Sequence, residues 1–582
     1  MSTSERLARS GVRPASRVIA PLLAALSAAL FAELAPGADN PAEAVELSKV
    51  DVIGTTPLPG LGAPVRDVPA NVQVYTSKDL GKQRHGTLAE FLERNPTSVT
   101  ANAAQGNPYQ LDIGFRGFTA SPLVGVAQGL SVFQDGVRIN EPFGDVVNWD
   151  LLPQSAIASI QLLPGSNPLF GLNTLGGALA IYTKSGSANP GTSVELSGGS
   201  FGRRTLQLEH GGAAGPWDWF LTGNVSHERG WAAHNPSRVH QLFAKLGYQA
   251  ASDDIDVSVT AADNRLEGTQ TLPASFFDDT RQAYTYPDVN ENRLAMLALK
   301  GSHFLSEDVL VGANVYLRRF RNRNVSSNVN TSFGDVDPQT AAIDTAQAIN
   351  DSSAITQTGY GAGLQLTLSQ PLAGRKNRLV LGTSADLGHA RYALDSQAAA
   401  FDASRETVPT GDFEARTDAR TFNRTLALFA MDTLALTPQW TLTASARYNE
   451  ARVSIRDRSG SNAALNGDHG FRRVNPALGM TFNPGPAITT YASYNEGMRA
   501  PTAIELTCAD PQAPCKLPNS FLADPPLKKV VARTMEIGAR GREDETVWSA
   551  ALYRTQLFDD LQFVSSGGAV NAGYFQNVGK TR

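Results

Sequence analysis

Trp440-Thr441-Leu442-Thr443-Ala444-Ser445-Ala446-Arg447-Tyr448-Asn449 is the stretch that decides the fold. Trp440, Leu442, Ala444, Ala446 and Tyr448 alternate without a break with Thr441, Thr443, Ser445, Arg447 and Asn449. A period of two is the period of a β-strand, so one face meets something apolar and the other something wet. Aromatics open and close the apolar face, as an interfacial girdle requires. The same alternation recurs at 219–226, 255–260 and 311–318. It begins near residue 192 and predicts about sixteen strands, the last around Tyr574–Arg582.

The connections sharpen this reading. Tight turns are expected near 213–216, 250–253, 305–308, 371–377, 437–439, 484–487 and 542–546. Between them fall long polar connections at about 268–291, 329–353, 397–420, 457–470 and 502–530. A soluble sandwich has no reason to lengthen every second loop, whereas an outer-membrane barrel does. The expected strands exceed the ~10 residues that cross the hydrocarbon, so the barrel is expected to project above it.

Composition is compatible. The 582 residues carry a net charge of −5, with 42% hydrophobic and 18% charged residues. That is too apolar for a disordered chain and too neutral for a nucleic-acid binder. Fifty-two Gly and 33 Pro point to many turns. Two cysteines exclude a multi-cysteine metal framework. Residues 18–32 are uniformly apolar, too short to span a bilayer, and preceded by Arg6, Arg9, Arg13 and Arg17. With the small residues that follow, they read as a secretory signal peptide within 1–44.

A Pro-rich linker is expected over 45–70, with a short strand around Val50 and Val52, and a compact mixed domain over 71–185. There Val72–Tyr75 is strand-like, Thr87 is placed to cap a helix LAEFLERN that stops before Pro96, and short strands fall at 130–133, 157–163 and 178–183. Gly198-Gly199-Ser200-Phe201-Gly202 copies a nucleophile elbow, but it leads into another strand rather than a helix. Gly171 and Gly176 have the outer spacing of a phosphate loop without its Lys-Ser/Thr. His227, His234 and His240 come nearest to a cluster and read as loop or interfacial residues. No triad or paired carboxylates point to an enzyme. Cys508 and Cys515, with six residues between them across a Pro-containing turn, are expected to form a disulfide in an oxidising compartment.

These residues resemble a family. Phe115-Arg116-Gly117-Phe118, Phe133-Gln134-Asp135-Gly136-Val137-Arg138, Pro164-Gly165 through Gly171, and Leu175-Gly176-Gly177-Ala178 resemble the plug domain of TonB-dependent outer-membrane receptors. Arg499-Ala500-Pro501-Thr502, Thr534–Gly538 and Asn577–Arg582 resemble their barrel. The resemblance implies a mainly β fold, with a mixed α/β plug inside an antiparallel transmembrane barrel over 190–582. It places a TonB box at Lys49, Val50, Asp51, Val52 and Ile53, an extended segment able to add to a partner's sheet edge. It also implies plug–barrel ion pairs, with Arg116 facing Glu505 or Glu536. Gln161 and Pro164 replace residues that often form a second pair.

The same resemblance implies active uptake across the outer membrane of a Gram-negative bacterium, energised by TonB with ExbB and ExbD. A ferric siderophore or other iron chelate is the expected ligand. Vitamin B12, another metal chelate and an oligosaccharide are the alternatives, and a passive porin-like or structural barrel is the competing class. No cofactor, metal or nucleic acid is implied. The family's barrel has 22 strands, so sixteen leave roughly six to be accounted for, and the chain reads as truncated at its C-terminus.

Overall fold

Short alternating segments rich in Val, Ile and Leu build the N-terminal region, because each can bury one face and satisfy its backbone in a ladder. The computed structural model describes residues 52–582 apart from 84–85, 104, 337–340, 461, 512–514, 516–526, 544–545 and 567–572. The expected signal peptide and Lys49, Val50 and Asp51 lie outside the described residues. Strands β1 (Val52–Ile53) and β2 (Ala63–Pro64) pair antiparallel. Next come β3 (Gln73–Thr76), helix α1 (Ser77–Gln83), helix α2 (Leu88–Arg94), β4 (Val99–Asn102), β5 (Asp112–Phe115), β6 (Phe118–Ala120), β7 (Leu130–Gln134), β8 (Val137–Arg138), β9 (Ile157–Pro164) and β10 (Gly177–Thr183).

Thr87 caps α2 by accepting from the Glu90 N–H, as its position before the apolar run predicts. The main plug sheet has the order β3-β9-β10-β7-β8, with β10 and β7 parallel, and β4-β5-β6 forms a second sheet. Phe91, Leu92, Phe115, Val132, Ile160 and Ile181 are buried in one core between these sheets and the helices.

A single antiparallel sheet follows. Its members are β11 (Gly191–Gly198), β12 (Arg204–Ala214), β13 (Trp217–Glu228), β14 (Ser237–Gln249), β15 (Asp253–Glu267), β16 (Val289–Ser306), β17 (Val309–Val329), β18 (Ala348–Leu368), β19 (Asn377–Phe401), β20 (Thr407–Pro409), β21 (Glu414–Ala435), β22 (Trp440–Asp457), β23 (Gly467–Phe482), β24 (Ile488–Arg499), β25 (Val530–Glu543), β26 (Thr546–Ser565) and β27 (Gly573–Thr581). Each pairs with the next in sequence order, and β19 also pairs with β21 across the three-residue β20. Apart from the three-residue β20, sixteen strands stand among the described residues where about sixteen were expected, although β11 and β27, at 8 and 9 residues, do not exceed the crossing length as expected. Among the described residues β11 and β27 are not paired with each other.

The alternation sets the two faces. Val257, Val259, Leu297, Leu317, Leu428 and Leu478 point outward and are exposed, although apolar. Thr260, Asn264, Asn292, Asn314, Arg318 and Asn449 point inward and are buried, although polar. This inversion of the ordinary rule is what a lipid-facing wall around a polar interior requires. Short connections such as 215–216, 250–252 and 307–308 gather at one end, and long ones such as 268–288, 330–347 and 500–529 at the other. The sheet wraps the plug. Ser155 meets Thr222 on β13, Gln134 meets Thr260 on β15, the Phe143 N–H meets Gln357 on β18, and Ser166 meets Thr534 on β25.

Four of the five long connections are shorter than the sequence suggests, the exception being 500–529. The strands on either side run on to Phe401 and from Ala348 and Glu414. Ladder hydrogen bonds need only backbone groups, so a hairpin continues past the point where apolar alternation ends.

Candidate functional site

Two charged residues are presented by the same device. Arg116 and Gly117 join β5 to β6, and Asp135 and Gly136 join β7 to β8. All four have positive φ, at 52°, 86°, 47° and 85°. Two-residue hairpins with φ > 0 at both positions match the twist of their strands, and glycine at the second position makes them accessible. Each turn therefore holds a charged side chain at its tip, aimed at the wall.

Arg116 pairs with Glu536 on β25, both side chains being buried, and its guanidinium lies 4.1 Å from the centre of the Tyr553 ring. Glu536 also accepts from the Asn71 N–H and the Tyr491 hydroxyl, each at 2.9 Å. Asp135 lies 3.6 Å from Lys245 and 3.5 Å from Lys300, and accepts from the Thr183 N–H at 3.1 Å. Burial pushes its carboxyl up, but Lys300, Lys245 and Thr183 outweigh that and hold it below the usual carboxylate range. A third contact, Glu141 to Arg318 on β17, spans 2.5 Å. There burial wins over the arginine, and the Glu141 carboxyl is raised.

The segment between β1 and β2 is strapped beneath the plug at the short-turn end. The Gly54 N–H donates to Gln161 Oε1 at 3.0 Å, and the Thr56 hydroxyl donates to Gln365 Oε1 on β18 at 2.6 Å. Leu58 packs with Leu169 of the plug and with Val380, Phe429 and Met431 of the wall. The fit is close: a Cβ on Gly312 would stand 2.0 Å from the Pro59 carbonyl oxygen. A cavity of about 170 Å³ runs between plug and wall, with Pro57 and Leu58 at one end and Pro501 and Thr502 at the other.

The long-loop end has different chemistry. A pocket of about 240 Å³ lies between plug loops bearing Leu123, Phe143 and Asn148 and the inner faces of β16 to β19. Its wall carries Asn290, Asn292, Asn322, Asn324, Asn328 and Gln357, with Phe320 and Tyr392 as apolar surface. Among the described residues no Lys, Arg or His lines it, and Asp288 is its one carboxylate. Asn292 also donates to Asp150 at 3.0 Å, and Asn264 does so at 2.8 Å. Burial pushes the Asp150 carboxyl up to about 6, despite those donors.

A plug of this sheet order, threaded through an antiparallel wall whose short and long connections segregate, is matched by two family models. "TonB-dependent Receptor Plug Domain" covers residues 64–178, and "TonB dependent receptor-like, beta-barrel" covers 195–582. The chain belongs to the TonB-dependent receptor family. Barrels of this family are outer-membrane proteins, and its members are receptors and transporters. Vitamin B12 transporter BtuB of Vibrio cholerae serotype O1 is 27% identical over 148 residues, 25% of this chain and 23% of the transporter's length. The BtuB of Photobacterium profundum is 27% identical over 157 residues, 27% of this chain and 24% of its own length. The matched stretch is thus about a quarter of the curated relatives. Among solved structures, the siderophore receptor PiuA from Acinetobacter baumannii superposes with a TM-score of 0.68 at 16% identity, covering 89% of this chain and 76% of PiuA. The ferric-catecholate import receptor Fiu from K12 E. coli gives 0.69 at 13%, covering 89% and 77%. At such identities the likeness concerns the fold.

The receptor's sequence motifs fall around the plug–wall seam. Gly165 faces Thr534 and Asn495, and Gly171 faces the Arg447 guanidinium. Gly176 lies under the Phe118 ring, where a Cβ would stand 2.3 Å from Cδ2, and Gly177 lies against the Leu163 carbonyl. Val52 and Ile53 of the expected TonB box are the described part of that segment, and they form β1, with Ile53 buried. Cys508 and Cys515 are disulfide-bonded, with Cα atoms 5.6 Å apart.

Glu505 requires a correction. It pairs with Arg499, not with Arg116. Thr502 and Glu505 form a reciprocal capping box on the short helix α3 (Ala503–Leu506), and that turns the carboxylate back onto the end of its own strand. Gln161 serves the strap rather than an ion pair. His227 and His240 sit on strands, and His234 stacks on Tyr286 at 3.6 Å. The lysines facing Asp135, the Glu141–Arg318 pair and the amide-lined pocket escaped sequence reasoning. For the pocket a signal existed: Asn290 and Asn292, and Asn322 and Asn324, repeat at the period that puts them on one inner face.

Proposed function

We propose that this chain acts in energised import across the outer membrane, with its long-loop end outside and its short-turn end in the periplasm. One observation carries the reading: the strap continuing from Lys49–Ile53 is anchored to both plug and wall, through Gly54–Gln161 and Thr56–Gln365. A pull on that segment loads both partners at once. TonB, driven by ExbB and ExbD, is the partner that would take the segment as an added strand. Withdrawing Leu58 would open the lower end of the seam beside β17 to β22.

A scarce extracellular ligand is the cargo, and an iron chelate is the first reading. Solved neighbours described as siderophore or ferric-catecholate receptors support it. Vitamin B12 is the second reading, favoured by the curated relatives. Binding and transport are the expected activities, with no catalytic step. Deleting residues 49–53 should abolish uptake and leave ligand binding intact. Undiminished passage after that deletion would show a passive pore instead. Growth under iron limitation, and on vitamin B12 as a required supplement, separates the two cargo readings.

A further inference from the structure

The pocket at the long-loop end says which kind of ligand this receptor takes. Its polar lining is built from side-chain amides. Asn322 donates to Asn292 Oδ1 at 2.8 Å and to Asn290 Oδ1 at 3.3 Å, and Asn324 donates to Asn290 Oδ1 at 3.1 Å. The result is a ladder of groups that each offer both a donor and an acceptor. Gln110, buried in the same lining, has its Oε1 without a hydrogen-bond partner among the described residues. A buried acceptor left open in this way calls for a donor supplied by something that enters.

Charge argues in the same direction. The carboxylates adjoining the pocket include Asp288, in its lining, Asp150, one amide behind Asn292, and Asp351, one amide behind Asn328. Arg318, the neighbouring cation on β17, is already committed to Glu141. Arg405, in a long connection, lies over the Phe276 ring at 4.4 Å and donates to Gln282 and Ala283, so it ties loops together. An anion entering this pocket would lose its water, meet no free cation among the described residues, and face Asp288 with Asp150 and Asp351 behind it.

We propose that this pocket binds an uncharged ligand with a hydrogen-bonding periphery of amide or hydroxyl groups, and discriminates against anionic chelates. The proposal rests on the import reading above, in that the long-loop end receives the ligand. It leaves room for a neutral iron chelate: each hydroxamate carries one negative charge, so three neutralise one ferric ion. A ferric tris-catecholate stays strongly anionic.

The test is equilibrium binding to the full chain in detergent, which needs no TonB. The probes are a ferric trihydroxamate, cyanocobalamin and a neutral oligosaccharide against ferric citrate and a ferric tris-catecholate. At least one uncharged probe should bind ten-fold or more tighter than either anion, with an affinity that changes less than two-fold between low and high salt. Gln110→Leu and Asn322→Leu should each weaken that binding about ten-fold. Gln110→Glu keeps acceptor oxygens at that place, so it should retain binding of the uncharged probe and lower that of the anions further; a loss equal to that of Gln110→Leu would overturn the role given to the open acceptor. Tighter binding of an anion, or no binding of any uncharged probe, overturns the proposal. The import reading fails separately, if deleting residues 49–53 leaves uptake of the bound probe unchanged.

Discussion

Along β14 to β18 the plug meets its wall through Asp135 and two lysines toward the short-turn end, and through Asp150 and a set of amides toward the long-loop end. Asp135 sits between Lys245 and Lys300 and is held ionised, whereas Asp150 is surrounded by Asn264 and Asn292 and is pushed up to about 6. Both carboxylates are buried, yet they titrate in opposite directions, because one has cations beside it and the other has only dipoles. The difference teaches where each task lies. Ion pairs hold the plug in one seat, since a displaced plug would strand their charges. Amides hold no formal charge, so they can exchange partners with a ligand at little electrostatic cost.

The largest effect that can break this comparison is expected at Asp135. Asp135→Ala leaves Lys245, only 2% exposed, with Asp256 at 3.7 Å and the Thr183 carbonyl at 3.2 Å. A loss of about 3–5 kcal/mol in plug stability is expected, read by denaturant unfolding. A loss below about 1 kcal/mol would mean that the lower half is not an ionic lock. Arg116→Ala should follow closely, because Glu536 would keep only the Asn71 N–H and the Tyr491 hydroxyl. Arg116→Lys should recover part of that loss, and a full recovery would show that charge alone suffices without the planar contact on Tyr553.

Gly312→Val tests the strap. Its side chain would collide with the Pro59 carbonyl, so an intermediate loss of about 1–3 kcal/mol is expected, together with faster proteolysis within 52–64. Unchanged proteolysis would show that the strap is not seated against β17. The smallest effect at neutral pH is expected for the upper half. Asn322→Ala should cost about 1 kcal/mol, one hydrogen-bonding amide, in thermal melting.

The two carboxylates can also be separated by pH. Asp150 binds its proton more tightly in the folded state, so its contribution falls as pH rises from about 4, its unfolded value, to about 6, and is level above. Asp150→Asn should remove that slope. Asp135 has the opposite sign: its contribution is present above the unfolded value and is lost only as pH falls through its depressed folded value. Identical pH profiles for the two variants would dissolve the comparison.

Much of the fold was legible along the chain. Trp440 to Asn449 announces its two faces because side-chain direction in a strand depends on parity alone. Thr87 announces a helix start because its cap is local. Arg116-Gly117 and Asp135-Gly136 announce tight turns because their backbone needs are local too. What those turns touch was less accessible. Choosing Glu536 over Glu505 required knowing that Thr502 and Glu505 cap a helix and that Arg499 takes the carboxylate. Lys245 and Lys300 are 110 and 165 residues from Asp135, and no period links them to it.

The sequence by itself therefore determined the strands, their two faces, the segregation of short and long connections, and the plug turns, all of which follow from local geometry. The tertiary structure alone decided which charges meet, where the strap seats, and that the inward Asn residues of β16 and β17 line one amide-rich pocket with Gln110. Those are contacts between distant segments, and they exist only once the sheet has curved around the plug.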